Sequence, residues 1–430
     1  MRSINSYGGY AIFLFIFDIH MMLHFSLRHV SVDQLRFYCL RLQWSLPHPI
    51  CLIDWLNSQS FYPKISWIDR ESGWHMVACH QVFVIHHLPH LLSTQLIRGQ
   101  QHMPFRLMGV ASSSPSFCLP RYELHHVANQ YIFALNYVFT TSLPLEHIQS
   151  AIKQMSHFIA SPYPLNNNVL FHIQYLPNLY GWNQTLLQML HQMRQTNIHK
   201  LVMARQKQLH FQHGVNVFDW LTYKPNCFHF VYIWQPHLAL VALSPERLYF
   251  RHQHHLMTEA MAGTRPRSVT NRQDALWCFH LHENEKDVLE ENWVKLDLEA
   301  KLNQLGTLFT SHHYSIFQTP YVQHLYVAFL VKLKANYLDT YLINSIHPTA
   351  AICGSPMPQA YLMLQKYESF HRGAYACPIG WIGDEDAHLC VSIRCALIRE
   401  NQVVLFAGSG ILAASLPHAE WNETENKFVY

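Results

Sequence analysis

The sequence predicts an α+β fold, and three observations predict it. Stretches rich in β-formers and stretches with helical spacing follow one another in mixed order, the pattern of layered α+β architectures. Half of the 430 residues are hydrophobic, enough for one large core or two domains. No repeat, low-complexity tract or Gly/Ser linker divides the chain.

The N-terminal run Tyr10-Ala-Ile-Phe-Leu-Phe-Ile-Phe17 is strongly apolar, but Asp18, His20 and His24 interrupt the apolar pattern beyond it. It is shorter than the ~20 apolar residues of a spanning helix, and no small-residue cleavage site marks a signal peptide. We read it as a buried strand or helix rather than a membrane anchor, with residues 1–30 an apolar extension outside the main fold. Residues 31–165 form a variable N-terminal part with few recognisable patterns, and residues 166–430 carry the chemistry. Strands are expected at Tyr131-Ile-Phe-Ala-Leu135, Val169-Leu-Phe-His-Ile173, His229-Phe-Val-Tyr-Ile-Trp234, Leu238-Ala-Leu-Val-Ala-Leu243 and Gln402-Val-Val-Leu-Phe406. A helix is expected from Glu283 to Leu305, where Leu289, Trp293, Leu296 and Ala300 fall on one face. Glycine is scarce and gathers between Gly354 and Gly410, so the backbone is expected to approach a ligand there.

Composition excludes several functions. Charged residues are only 13% and the formal net charge is +3, which argues against a nucleic-acid binder with a basic stripe. The 33 histidines are scattered, without HExxH or zinc-finger spacing, and read as substitutes for other polar residues rather than a metal store. The ten cysteines form no CxxC and sit partly in apolar runs, as small hydrophobes in a reducing, cytoplasmic setting.

Several short motifs carry candidate chemistry. Lys200 precedes the apolar run Leu-Val-Met-Ala-Arg205. Alone it is an ordinary charge at an element start; buried, it becomes a candidate base through desolvation. Ser244-Pro-Glu246 follows an apolar strand and has the form of a helix N-terminus. Thr258-Glu-Ala-Met-Ala-Gly-Thr264-Arg-Pro-Arg267 reads alone as a basic turn. Acidic residues including Glu290 open the expected long helix, where they favour its dipole. Glu420, Glu423 and Lys427 share one helix face by their spacing. Arg394 follows Cys390-Val-Ser-Ile, suited to bidentate carboxylate capture, and Tyr375 is a candidate donor to the same group. Gly408-Ser-Gly410-Ile-Leu-Ala413 matches the dinucleotide fingerprint. Only 17 residues follow Ala413, too few for a helix and a second strand, so that reading fails.

Together with His347-Pro-Thr-Ala-Ala351, these motifs in this order resemble the chorismate-utilising enzymes, and among them the isochorismate synthases. The resemblance is strong over residues 120–430. It extends weakly further through Phe61-Tyr-Pro-Lys-Ile-Ser-Trp67 and Leu119-Pro-Arg-Tyr-Glu-Leu124. It implies a large α/β sandwich in which two similar αβ halves enclose a deep site. It implies conversion of chorismate to isochorismate with Mg²⁺. Lys200 would activate water and Glu246 would protonate the departing hydroxyl. Glu290 and Glu423 would hold the metal, with Glu420 in or beside its shell. Gly263, Thr264 and His347 would line the ring pocket. Tyr375, Arg394, the Gly408–Gly410 turn and Lys427 would meet the substrate carboxylates. Alanine at Ala262 removes the lysine through which aminodeoxychorismate synthases bind substrate covalently. Asn292 departs from the family's usual histidine without removing the metal ligand. A salicylate synthase, which also eliminates pyruvate, is the alternative. The implied partner is a small molecule, with no nucleic acid, no membrane and no glutamine amidotransferase subunit.

Overall fold

The computed structural model describes residues 23–428, apart from 87, 89–91, 100–102, 114, 141–145, 147–167, 222 and 311–313. The apolar run Tyr10–Phe17 lies outside the described residues. All five expected strands are present, four within longer ones and that at 169–173 beginning one residue later: Gln130–Phe139, Leu170–Leu176, Phe228–Gln235, Leu238–Ser244 and Gln402–Ile411. They belong to an antiparallel network of 22 strands, so the chain is α+β as its pattern predicts.

The network has two arms. One runs from Ser116–Val127 through His75–Ile85, Lys64–Ile68, Phe228–Gln235, Leu238–Ser244, Cys395–Arg399 and Gln402–Ile411 to Lys200–Phe211. The other leaves Ser116–Val127 through Arg106–Val110, Pro378–Gly383, Asp386–Val391, Arg247–His252 and His255–Pro266 to Val322–Leu333. Strands from either side of residue 165 therefore pair directly, as Lys64–Ile68 does with Phe228–Gln235. The strands Phe228–Gln235 and Pro378–Gly383 are buried over nearly their whole length, which is why they read as continuous apolar runs. Trp67, Phe228, Phe230, Tyr249 and Phe329 lie in the core between the arms. Each such side chain contributes ~1.5–3 kcal/mol by its burial.

The expected 283–305 helix is present as Glu285–Leu305, and Asn284 separates it from an earlier helix, Asn271–Glu283. Asn284 ends the first helix and caps the second, its side chain accepting from the Asp287 N–H at 3.1 Å. Moreover, the expected apolar face turns outward: Leu289 and Leu296 are exposed. The buried face of Glu285–Leu305 carries Asp287, Glu290, Glu291, Val294, Leu298, Leu302 and Leu305. Its leucines pack in the core, while its first turns bury carboxylates. Periodicity alone favoured the wrong stripe, since acid residues are seldom inward-facing unless paired.

The C-terminal helix, Pro417–Lys427, lies on the strand Gln402–Ile411. All ten cysteines are free, and eight are buried. Among the described residues no helix is long and apolar enough to cross a membrane.

Candidate active site

Lys200 is the first residue of the strand Lys200–Phe211 and is wholly buried. Its Nζ lies 3.3 Å from Glu290 Oε1 on the helix Glu285–Leu305. Glu290 faces a cavity also lined by Glu246, Thr264, Tyr375 and Arg394, with Gly408, Gly410 and Lys427 on its wall.

Glu246 does not start a helix. Ser244-Pro-Glu246 links two strands, Leu238–Ser244 and Arg247–His252, so the helix-cap reading is corrected. The link is pinned by the Glu246 N–H donating to Ser244 Oγ at 3.2 Å and by Val391 N–H donating to the Glu246 carbonyl at 3.0 Å. Burial pushes the Glu246 carboxyl up to about 8, Glu259 adds to the rise, and Lys200 and Lys427 oppose it. Glu259 is an effective anion because Arg70 grips both its oxygens at 2.8 Å and the Arg247 N–H donates to it at 2.7 Å. Glu246 is thus a carboxyl held protonated at neutral pH, beside a buried amine.

The remaining carboxylates gather where two helices meet. Glu420 and Glu423 occupy one face of Pro417–Lys427, as their spacing predicts. Lys286 donates to Glu420 Oε1 at 2.5 Å and Ser409 Oγ donates to Glu420 Oε2 at 2.6 Å. Lys427 donates to Glu423 Oε1 at 2.6 Å and to the Gly408 carbonyl at 2.9 Å. Burial and then Glu423 push Glu420 up. Burial works the same way on Glu423, but Lys427 and Lys286 outweigh it and hold Glu423 down at about 2. Glu420 and Glu423 also line a second, outer cavity with Thr264, Arg265, Trp277, His280 and Lys286.

The glycine turn is likewise corrected, since Gly408 and Gly410 lie within a strand. Gly408 pairs with Ala204 and Gly410 with Val202. Val202 and Ala204 send their amides away from that strand, to the Cys353 carbonyl and to Glu368. These are therefore non-hydrogen-bonded pairs, and the backbone groups of Gly408 and Gly410 point away from Lys200–Phe211. A Cβ at Gly410 would overlap the Glu290 carboxylate, and one at Gly408 would sit 2.7 Å from Tyr375 Oη. Glycine is required here for close approach. Tyr375 stacks on Phe406 with ring centroids 5.3 Å apart. Arg394 lies just past the strand Asp386–Val391 with φ of 49°, a left-handed conformation uncommon outside glycine.

Two expected pocket residues stand behind the wall. Gly263, at φ of 65°, forms a bulge between Ala262 and Thr264 and gives its carbonyl to His324 Nδ1 at 3.0 Å. His347 meets the Ala376 carbonyl at 2.8 Å and is not among the cavity-lining residues. Burial lowers it to about 4, so it is a neutral brace for the segment carrying Tyr375.

Three buried groups escaped the sequence reading. His324 lines the cavity and is driven by burial down to about 3. Asp287 is raised to about 7 by burial, against its ion pair with Arg265. Glu291 is wholly buried beside Glu290 and raised well above the ordinary range, burial first. Only the Lys-Asp-x-x-Glu spacing before Glu291 hinted at Asp287, and nothing local marks His324.

Among the described residues no three His, Cys, Asp or Glu side chains already converge on one point. The donor set still suits a hard divalent cation. Lys286 already binds Glu420 there at 2.5 Å, and the charges of Glu290 and Glu423 favour its ammonium as well.

A sequence profile for the chorismate binding enzymes matches residues 109–430. The chain is 29% identical over 416 residues to the isochorismate synthase MenF of Haemophilus influenzae, covering 93% of this chain and 92% of that one. It superposes on MenF, the menaquinone-specific isochorismate synthase from Escherichia coli, with a TM-score of 0.81 and 25% identity over 94% of each chain. Anthranilate synthase component I from Streptococcus pneumoniae shares the fold, with a TM-score of 0.64 and 15% identity over 89% of this chain and 94% of that one.

Proposed function

Because the chain belongs to the chorismate-binding enzymes, we propose that it is an isochorismate synthase, a Mg²⁺-dependent isomerase that interconverts chorismate and isochorismate. The observation that carries the reading is a buried, protonated Glu246 on the wall of a cavity whose Glu290 is held at 3.3 Å by the wholly buried Lys200 behind it. The reaction needs one group to take a proton and one to give a proton at neutral pH. Likeness to isochorismate synthases over nearly the whole length of both chains supports the same conclusion.

Lys200 takes a proton from water as the oxygen bonds to C2 of the ring. The ring double bond shifts and the C4–O bond breaks. Glu246 gives its proton to the departing oxygen, which leaves as water. In reverse the two groups exchange roles. Arg394, Lys427 and the outward backbone of Gly408 and Gly410 hold the substrate's carboxylates. Glu290 and Glu423, with Glu420 beside them, would hold Mg²⁺, which supplies positive charge opposite a carboxylate and stabilises charge developing in the ring. Water as nucleophile requires no ammonia-supplying subunit, and the small Ala262 leaves no covalent handle for the ring.

The test is incubation of the purified chain with chorismate and Mg²⁺, with and without EDTA, followed by chromatography. Isochorismate alone, abolished by EDTA, is expected. Salicylate with pyruvate would replace this reading by the salicylate synthase, and absence of metal-dependent turnover would remove both.

A further inference from the structure

Lys286 has no part in the proposed proton transfers, yet its ammonium is bound to Glu420, on the same helix face as Glu423. It opens the helix Glu285–Leu305, one residue before Asp287 and four before Glu290. Its Nζ donates to Glu420 Oε1 at 2.5 Å, and Glu420 is buried with only 1% of its side chain exposed. Glu290 on its own helix and Glu423 on the C-terminal helix act on the same ammonium. A lysine that only closed a surface ion pair would meet an exposed carboxylate, whereas the partner of Lys286 is buried. This one bridges two helices.

Its surroundings also provide somewhere for it to go. Lys286 is 28% exposed and lines the outer cavity together with Glu420, Glu423, Asn284 and Asn422. The inner cavity, lined by Glu290 and Glu246, shares Thr264 with the outer one. Four flexible methylenes let the ammonium swing outward without moving the backbone.

We propose that Lys286 is a tethered counter-cation: it neutralises Glu420, beside Glu423, in the metal-free protein, and an incoming divalent cation displaces it into the outer cavity. The lysine thereby neutralises the buried Glu420 while the site waits for metal, as Lys427 does for Glu423 and Lys200 for Glu290. It also competes with the metal, which makes it a determinant of metal affinity. Arg265 does the same for Asp287 at the cavity rim through its ion pair, leaving that carboxylate outside the competition.

The inference rests on the proposed Mg²⁺ site, and its test separates the two. Mn²⁺ binding is measured by the loss of the free-ion paramagnetic signal on titration, and Mg²⁺ binding by calorimetry, without chorismate and without turnover. The chains compared are wild type, Lys286→Met, Lys286→Gln and Lys286→Arg, each checked for folding by circular dichroism. Removing one competing charge at ion-pair distance should tighten Mn²⁺ binding by about tenfold or more in both neutral variants. Lys286→Arg, which keeps the cation, should bind within a few-fold of wild type. The neutral variants should also melt lower than wild type without metal and recover with it. Wild-type binding with equal or weaker affinity in Lys286→Met and Lys286→Gln overturns the counter-cation and leaves the metal reading intact. Absence of Mn²⁺ uptake by every chain overturns both.

Discussion

At the scale of single residues, what distinguishes the two proposed proton-transfer groups is their surroundings. Glu246 is an ordinary carboxyl whose burial, helped by Glu259, keeps it protonated to about pH 8. Since the acid form must donate in the chorismate-to-isochorismate direction, kcat/KM in that direction should fall as pH rises through about 8. A profile flat from pH 6 to 9.5 would remove Glu246 from the role. Lys200→Ala and Glu246→Gln should each fold and lose about 10²–10⁴-fold in turnover, the usual contribution of a positioned acid or base. Steady-state kinetics with the purified variants decides this, and normal turnover in either refutes the assignment. These two residues were legible in the sequence because each lies in a short contiguous motif. His324 was not legible, because it is a histidine inside a strand with 32 other histidines in the chain, and only pairing across the sheet brings it to the cavity.

At the scale of elements, two local features place the carboxylates. Asn284 sets the register of the acidic helix by capping it, which orients Asp287, Glu290 and Glu291 inward. Asn284→Ala should cost ~1 kcal/mol of stability, read from urea unfolding, and should weaken Mn²⁺ binding as well. A loss of stability with unchanged Mn²⁺ affinity would show that the cap supports the fold alone. Gly410 lets the strand Gln402–Ile411 pass against Glu290. Gly410→Ala is compatible with strand backbone but displaces that carboxylate, and turnover should drop on the order of 100-fold with melting temperature little changed. If activity survives, Glu290 is not needed where the structure places it. Element type was largely legible, with five strands recognised from β-formers alone. Orientation was not: the outward Leu289 and Leu296 form as regular a stripe as the inward acids.

At the scale of the whole molecule, titration should give a narrow stability optimum. Burial lowers His75, His80, His125, His229, His324, His347 and His388, so they are neutral in the fold and take up protons on unfolding. Their unfolded forms bind more protons below about pH 6.5, and stability is lost as pH falls through that range. Glu246, Asp287, Glu291 and Glu420 are raised, so the folded state binds more protons and stability falls as pH rises from about 4.5 towards 8. The two sets oppose each other below about 6.5, where seven histidines outnumber four carboxyls, and between about 6.5 and 8 the carboxyls prevail. Metal-free protein should therefore be most stable near pH 6.5, with urea midpoints declining on both sides. A midpoint that climbs steadily from pH 6.5 to 8 would contradict this balance, and Glu246→Gln should flatten the decline above pH 6.5.

The α+β class, the strands, and the chemical groups at hand (a lysine, carboxyls and an arginine in ordered motifs) are all written in the linear order of residues. They can be, because these properties are local, set by side-chain type and by periods of 2 and 3.6 residues. Which groups meet, and in which protonation state, is settled by packing in three dimensions. Lys200 and Glu290 are 90 positions apart by number, and their 3.3 Å approach exists only because a strand and a helix pack against the glycine strand. Desolvation, which raises Glu246 and lowers His324, is a property of the enclosed volume and has no signature in any one segment.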